Sequence, residues 1–171
     1  MDKTNRSAKN TPLTAASALA RMEHYCAYQD RCHSEVRAKL REFTALRAEE
    51  RENIICSLIE NRFLDEERFT RSFVRGKHRF KHWGRLRITR ELRARDIPDR
   101  LIRQAIDAEI DPQEYRSTFR RLFSEKQKAV GGLSTRAQIA KIYNYMVSHG
   151  YEPDLIWDAI QSDNQQNTDQ P

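Results

Sequence analysis

Residues that interrupt helices are scarce in this sequence of 171 residues. It contains only five glycines and five prolines, and neither type occurs between residues 13 and 75. Sandwiches and barrels built from strands need turn residues at short, regular intervals, so the composition is not typical of an all-β fold. It favours long runs of helix instead.

Cysteines and long apolar runs are also scarce. The three cysteines, Cys26, Cys32 and Cys56, are odd in number and form no C-x-x-C pair, which is typical of a reducing compartment. No run approaches the roughly 18 apolar residues that span a bilayer. We therefore expect a cytoplasmic protein without a membrane segment. Apolar residues make up 38% of the chain and charged residues 33%, so a core can form beneath a strongly solvated surface.

Sequence patterns that carry catalysis are absent. There is no G-x-x-x-x-G-K-[ST] loop, no G-x-S-x-G turn and no carboxylate pair in an apolar setting. A zinc site from His24, Cys26, Cys32 and His33 is a weak alternative, because positions two apart on a helix point in different directions. We expect no catalytic residue, no metal and no cofactor, and thus a protein that is not an enzyme.

Acidic residues are nearly missing from the centre of the chain. Between Arg68 and Arg103 there are thirteen lysines and arginines against three acids, a local balance of +10. The whole chain carries a net charge of +6, so the remainder sums to −4. A basic centre between mildly acidic ends predicts a surface that binds a polyanion.

Apolar residues recur at helical spacing in the same centre. Phe69, Phe73, Gly76 and Phe80 follow one another at intervals of three and four, which predicts a helix with an aromatic ridge and a close approach at Gly76. The next two helices are indicated by further apolar positions, with Pro98 in the first turn of the second: Ile88, Leu92, Leu101, Ile102, Ala105 and Ile106.

This pattern of three helices repeats along the chain. Phe119 and Phe123 match Phe69 and Phe73 at a shift of 50, and the later apolar positions recur at a shift of 54, with an insertion near Gly131. The matching residues are Ile142, Met146, Leu155, Ile156, Ala159 and Ile160. A fainter earlier copy contains Val36, Leu40, Ile54, Ile55, Leu58 and Ile59.

We therefore predict an all-α fold of three tandem three-helix repeats that form an elongated, curved array. The predicted segments are a disordered tail at 1–12, repeats at 13–63, 64–110 (basic) and 111–162, and a second disordered tail at 163–171. Both tails are polar and lack the apolar residues that would stabilise an ordered conformation.

Cations line one side of the two central helices. On the first, arginines recur at intervals of three and four beside the aromatic ridge, and on the second they oppose Ile88 and Leu92. The predicted partner or nucleic-acid-binding residues are Arg68, Arg71, Arg75, Lys77, Arg79, Lys81, Arg85, Arg87, Arg90 and Arg93. An ordinary solvated surface is the alternative, but few acids lie four residues from these cations to neutralise them.

The two tryptophans have different expected roles. Trp83 lies at a helix junction, where it either packs over the seam between repeats or stacks on a base or a partner surface. Trp157 falls within the apolar pattern of the last helix, so we expect it in the core.

Three segments resemble the central repeat of the RecX family: 63–69 (FLDEERF), 83–92 (WGRLRITREL) and 96–98 (DIP). The stretch 31–36 (RCHSEV) with Lys39 and Leu40 is similar to the first-repeat signature of that family. The resemblance covers about Ala15 to Ile160. Three positions depart from the family pattern: Cys32 replaces a capping serine, Thr70 an alanine, and Asp96 a helix-ending glycine.

The resemblance implies a regulator that binds the RecA filament on single-stranded DNA. It would negatively modulate the ATPase, filament extension and strand exchange in recombination, DNA repair and the SOS response. The expected partners are the RecA filament and, as a candidate direct contact, single-stranded DNA; we expect a monomer. The alternative function is a helix-turn-helix-like transcription regulator that reads DNA with residues 84–95.

Overall fold

The computed structural model describes residues 14–168, and every regular element within that range is a helix. The helices are α1 (Ala15–Tyr28), α2 (His33–Arg41), α3 (Ala48–Glu60), α4 (Glu66–Lys81), α5 (Arg85–Arg93), α6 (Asp99–Glu109), α7 (Pro112–Val130), α8 (Arg136–His149) and α9 (Pro153–Thr168). The predicted all-α class is confirmed, and the described helices follow the predicted order of three groups of three.

Two compact units divide the chain, with the boundary between Phe69 and Thr70 inside α4. The first unit contains α1, α2, α3 and the start of α4, and the second contains the rest of α4 and the helices that follow. The predicted repeat boundary at 110/111 falls inside the second unit. The partition into three repeat domains therefore stays a prediction.

The first unit has a core made from one side of each of its three complete helices. Its buried residues are Ala18, Met22, Cys26, Val36, Leu40, Leu46, Ile54, Ile55, Leu58 and Leu64. Thr14 begins α1 with a capping box that it forms with Ser17. Ile59, the last apolar position of the fainter repeat copy, is 44% exposed, because Ile54, Ile55 and Leu58 already define the buried side of α3.

The second unit buries most of the apolar positions that recur in the sequence. Ile88 and Leu92 of α5 have no exposed surface, and neither do their counterparts Ile142 and Met146 of α8. The repeat therefore has a structural basis in this pair of helices. The insertion is accommodated partly by helix length, since α8 has 14 residues and α5 has 9.

The end of α8 docks on the beginning of α5 through backbone atoms. The Gly84 amide donates to the His149 carbonyl at 2.8 Å, and the Leu86 amide donates to the Gly150 carbonyl at 3.0 Å. A Cβ atom at Gly84 would lie 2.2 Å from the Gly150 carbonyl oxygen. Close approach of two backbones thus requires glycine in the W-G-R segment.

Two of the positions that depart from the RecX pattern have clear local structures. Asp96 has φ of +61°, the left-handed conformation that glycine adopts easily and aspartate tolerates. Cys32 is the N-cap of α2 but makes no capping hydrogen bond with its side chain, which is fully buried. Buried packing has replaced a polar cap at this helix start.

The predicted ridge on α4 is wrong beyond Phe73. Phe80 is 80% exposed, and no atom would contact a Cβ at Gly76 within 4 Å. The buried side instead contains Thr70, Val74 and His78. These residues follow one another at intervals of four, so they form an equally regular stripe that a count of large apolar residues overlooks.

Two further predictions for the last helix fail. Trp157 is 44% exposed, because it packs on Tyr143 at the side of α9 rather than in the core. The predicted tail from 163 starts too early, since α9 continues to Thr168 with no glycine or proline before residue 171 to stop it. Residues 1–13 and 169–171, which include the rest of both predicted tails, lie outside the described residues.

Candidate partner-binding face

Six of the ten predicted cations lie on α4 and four on α5, and none of them is buried. Arg68 belongs to the first compact unit and the other nine belong to the second. We call these nine the basic face: Arg71, Arg75, Lys77, Arg79, Lys81, Arg85, Arg87, Arg90 and Arg93. The members differ in what holds each side chain in place.

Arg71 and Arg75 share one carboxylate from α6. Their Nε atoms donate to Oε1 and Oε2 of Glu109 at 2.8 and 2.9 Å. The Glu109 side chain is only 9% exposed, whereas each arginine is 47% exposed. Hydrogen bonding from Arg71, followed by that from Arg75, lowers the pKa of Glu109, so the carboxylate stays ionised between them.

Other predicted arginines, one in the first unit and two in the second, have acidic partners of their own. Arg68 Nε donates to Asp30 at 2.8 Å, and Arg93 binds both carboxylate oxygens of Asp99 at 2.8 and 2.9 Å. Arg85 lies 3.8 Å from Glu152. Most of these acids are distant in sequence, so a search for acids four residues away could not find them. Acidic partners therefore neutralise more of the predicted cations than the local sequence pattern indicates.

Aromatic rings support two more cations. The Arg87 guanidinium lies 4.0 Å and the Lys77 ammonium 5.0 Å from the centre of the Trp83 ring, and Arg87 also donates to the Ser148 carbonyl. Trp83 packs edge-to-face on Phe73, whose ring also carries Arg95 at 5.1 Å. Trp83 is half-buried against residues of its own unit. Arg95 is a member of this cluster that the sequence prediction missed.

Three cations have no acidic or aromatic partner among the described residues: Arg79, Lys81 and Arg90. All three are exposed. Near them in sequence, two apolar side chains are also exposed, Phe80 (80%) and Leu86 (50%). Leu86 and Arg90 are four residues apart on α5, so they share one side of that helix. Arg79 and Lys81 are two positions apart on α4 and point in different directions, so each of these exposed cations is available separately to an anionic partner.

His78 does not contribute to the basic face, although it lies within the basic segment. Its side chain is 1% exposed, and its Nδ1 atom lies 3.3 Å from the Trp83 carbonyl. The ring also packs against Tyr115, with centroids 5.6 Å apart. Burial lowers the pKa of His78 from its ordinary value, because the charged imidazolium would lose its hydration.

An open cleft lies on another part of the second unit, between α7 and α9. It has a volume of about 740 Å³ and combines the rings of Phe119 and Phe123 with Arg116, Arg120 and Asp158. No cluster of three potential metal ligands occurs among the described residues. No described helix is long and apolar enough to cross a membrane.

Comparison with known proteins points to the same segment as the charge pattern. Residues 65–106 match the family model for the second three-helix domain of RecX. The regulatory protein RecX of Geobacillus kaustophilus (strain HTA426) is 28% identical over 147 residues, which are 86% of this chain and 54% of that protein. The chain thus spans about half the length of this relative.

Two crystal structures share the fold. One is of a regulatory protein RecX, with a TM-score of 0.74 and 22% identity over 86% of this chain and 71% of that chain. The other is of RecX from Lactobacillus salivarius, with a TM-score of 0.75 and 22% identity over 88% and 97%. The domain match, the aligned relative and the shared fold agree with the motif at 63–98: the chain is similar to RecX regulatory proteins over most of its length, and its segment 65–106 matches a RecX domain.

Proposed function

We propose that the protein binds the RecA filament on single-stranded DNA and negatively modulates its ATPase, extension and strand exchange. The protein acts as a monomer in the cytoplasm, without a catalytic group or cofactor of its own. The basic face of α4 and α5 makes the electrostatic contact. By occupying the filament it restrains recombination, DNA repair and the SOS response.

One observation carries this proposal: the segment that matches the second three-helix domain of RecX is also the most basic part of the chain. Residues 65–106 include all thirteen cations between Arg68 and Arg103. A filament of protein on DNA presents a dense row of phosphates, and arginine forks pair well with phosphate oxygens. A contact of this kind weakens as salt concentration rises, because bound counterions are released on binding.

Exposed cations without a described partner provide the cleanest test. We would change Arg79, Lys81 and Arg90 together to glutamate and titrate the variant into RecA filaments on oligothymidine, measuring ATP hydrolysis at two salt concentrations. We expect the half-inhibiting concentration to rise by about tenfold or more, because like charges then face the phosphates. Inhibition by the unchanged protein is expected to weaken at the higher salt concentration.

A matched control carries the same change in charge elsewhere. Lys128, Arg136 and Lys141 are exposed on α7 and α8 and have no partner among the described residues. Their joint change to glutamate should leave inhibition within about twofold of the unchanged protein, since surface charges far from a contact act weakly through salt. Equal loss in both variants would refute the assigned face.

The alternative function makes a different prediction in the same assay. A transcription regulator that reads DNA with residues 84–95 would bind duplex DNA with sequence preference and leave RecA ATP hydrolysis unchanged. Selective duplex binding together with no inhibition of RecA would replace our proposal with this one.

A further inference from the structure

We propose that Glu109 is a positioning residue, which holds Arg71 and Arg75 so that their guanidinium groups bind phosphates of a DNA strand. This inference rests on the proposed function to the extent that the basic face is the binding surface. It adds a direct DNA contact and assigns an acidic residue a positive role in binding a polyanion.

The geometry separates the two ends of the Arg75 guanidinium. Glu109 takes the Nε hydrogen of Arg71 on one oxygen and that of Arg75 on the other. The terminal Nη atoms of Arg75 have no partner among the described residues. Since guanidinium is planar, a carboxylate fixed at Nε also fixes the direction of the Nη edge, which suits a bidentate phosphate contact.

The three residues together carry more positive than negative charge. One carboxylate, nearly buried, lies between two half-exposed guanidinium groups, so the cluster carries a net charge of +1. The lowered pKa of Glu109 keeps that balance constant at neutral pH. Long arginine side chains otherwise lose conformational entropy when they bind, and an existing clamp removes part of that cost.

Spacing along α4 favours a nucleic-acid strand over an acidic protein. Arg71, Arg75 and Arg79 follow one another at intervals of four residues, about 6 Å along the helix axis. A DNA strand supplies anions in a regular row, whereas carboxylates on a protein surface are irregularly placed. The exposed ring of Phe80 lies beside Arg79 in the sequence, and single-strand binders combine such rings with cations.

The competing explanation is that Glu109 has only a structural role and joins α4 to α6. The two explanations predict opposite changes in DNA affinity when Glu109 is neutralised. If Glu109 only joins helices, its neutralisation raises the positive charge of the face and DNA binding stays equal or tightens. If it positions the arginines, binding weakens despite the added positive charge. The direction of the change therefore separates the two roles.

The test compares Glu109→Gln with Asp107→Asn. Asp107 is exposed on the same helix, with no partner among the described residues, so its change removes the same charge without disturbing a clamp. Binding of fluorescently labelled oligothymidine is measured by anisotropy at several salt concentrations, well below the unfolding temperature. We expect Glu109→Gln to bind about fivefold more weakly, as the loss of charge-assisted hydrogen bonds outweighs the added charge, and Asp107→Asn to bind no more weakly than the unchanged protein.

The salt dependence gives a second readout that a structural tie would not change. Loss of one or two phosphate contacts should reduce the slope of log affinity against log salt by about one to two. A slope that is unchanged or steeper in Glu109→Gln, with affinity equal to that of Asp107→Asn, overturns the inference. Loss of RecA inhibition without any loss of oligothymidine binding also overturns it, because the anion then belongs to the protein partner.

A second variant keeps the test decisive if Glu109→Gln does not fold. Changing Arg71 and Arg75 together to lysine preserves both charges and Glu109 but removes the Nε donors and the planar forks. We expect the same fivefold loss, and unchanged binding overturns the inference. Since oligothymidine binding involves no recombinase, the inference can fail while RecA inhibition stands, and the proposed function can fail while DNA binding stands.

Discussion

The second compact unit has two sides that are held in different ways. The seam where α8 meets α5 is fixed by backbone contacts at Gly84 and Gly150 and by the buried rings of Tyr115 and Tyr151. The basic face is held by exposed ion pairs and ring contacts of long side chains. One short segment, 82–93, takes part in both. We therefore expect that cations of the basic face can be changed without loss of the fold, whereas the seam should tolerate little change.

The seam should show the largest effect on stability. Gly84→Ala places a Cβ atom 2.2 Å from the Gly150 carbonyl oxygen and 2.6 Å from the Tyr151 amide nitrogen, both of which are backbone atoms. The helices must separate, and the amide hydrogen bonds of Gly84 and Leu86 weaken. We expect the free energy of unfolding to fall by about 3 kcal/mol or more, measured by urea denaturation.

Gly76→Ala is the matched control, since no atom lies within 4 Å of the added Cβ in the middle of α4. It should stabilise the protein by about 0.5–1 kcal/mol, because alanine favours helix more than glycine does. If the two alanine variants had similar stability, the close approach at the seam would be wrong.

A smaller effect is expected from protonation of His78, which packs on the seam residue Tyr115. Burial lowers its pKa in the folded protein below the ordinary value of 6.5. The stabilisation is therefore complete above pH 6.5 and is lost as the pH falls, because the unfolded chain binds the proton more tightly. Below pH 6.5 we expect a loss of up to about 1.4 kcal/mol per pH unit, until the folded-state pKa is reached.

His78→Gln isolates this effect, because the four other histidines remain in both proteins. We would measure the free energy of unfolding of both proteins by denaturation from pH 7.5 to pH 5. As the pH falls, the glutamine variant should become more stable relative to the unchanged protein. Parallel pH profiles would contradict the assignment of a buried, neutral imidazole.

The sequence predicted the parts of this molecule that depend on local pattern. Ile88, Leu92, Ile142 and Met146 are buried as predicted, since helical periodicity reports which side of an amphipathic helix faces the core. The all-α class followed from the same periodicity. On α4 the predicted buried side was wrong beyond Phe73. The pattern of large rings indicated Phe80, whereas a stripe of smaller and more polar residues is buried instead.

The partners of the basic face could not be predicted in this way. Glu109 lies 38 residues after Arg71 and 34 after Arg75, and no pattern within one helix connects them. Tertiary folding brings them together, so the local count of charges overstated how free these arginines are. Glu109, Arg95 and the exposed side chain of Phe80 are the features of the face that sequence reasoning missed.

The exposed side of α4 should show the smallest effect on stability, and Phe80 tests this most directly. Its ring is 80% exposed, so Phe80→Gln removes almost no buried surface and places a good helix former near the end of α4. We expect the free energy of unfolding to change by less than about 0.5 kcal/mol in urea denaturation. Phe69→Ala, on the same helix but 5% exposed, should lose about 3–5 kcal/mol as a comparison. Similar losses in both variants would mean that Phe80 is buried, as the predicted aromatic ridge requires. The exposed side of α4 would then be part of a core.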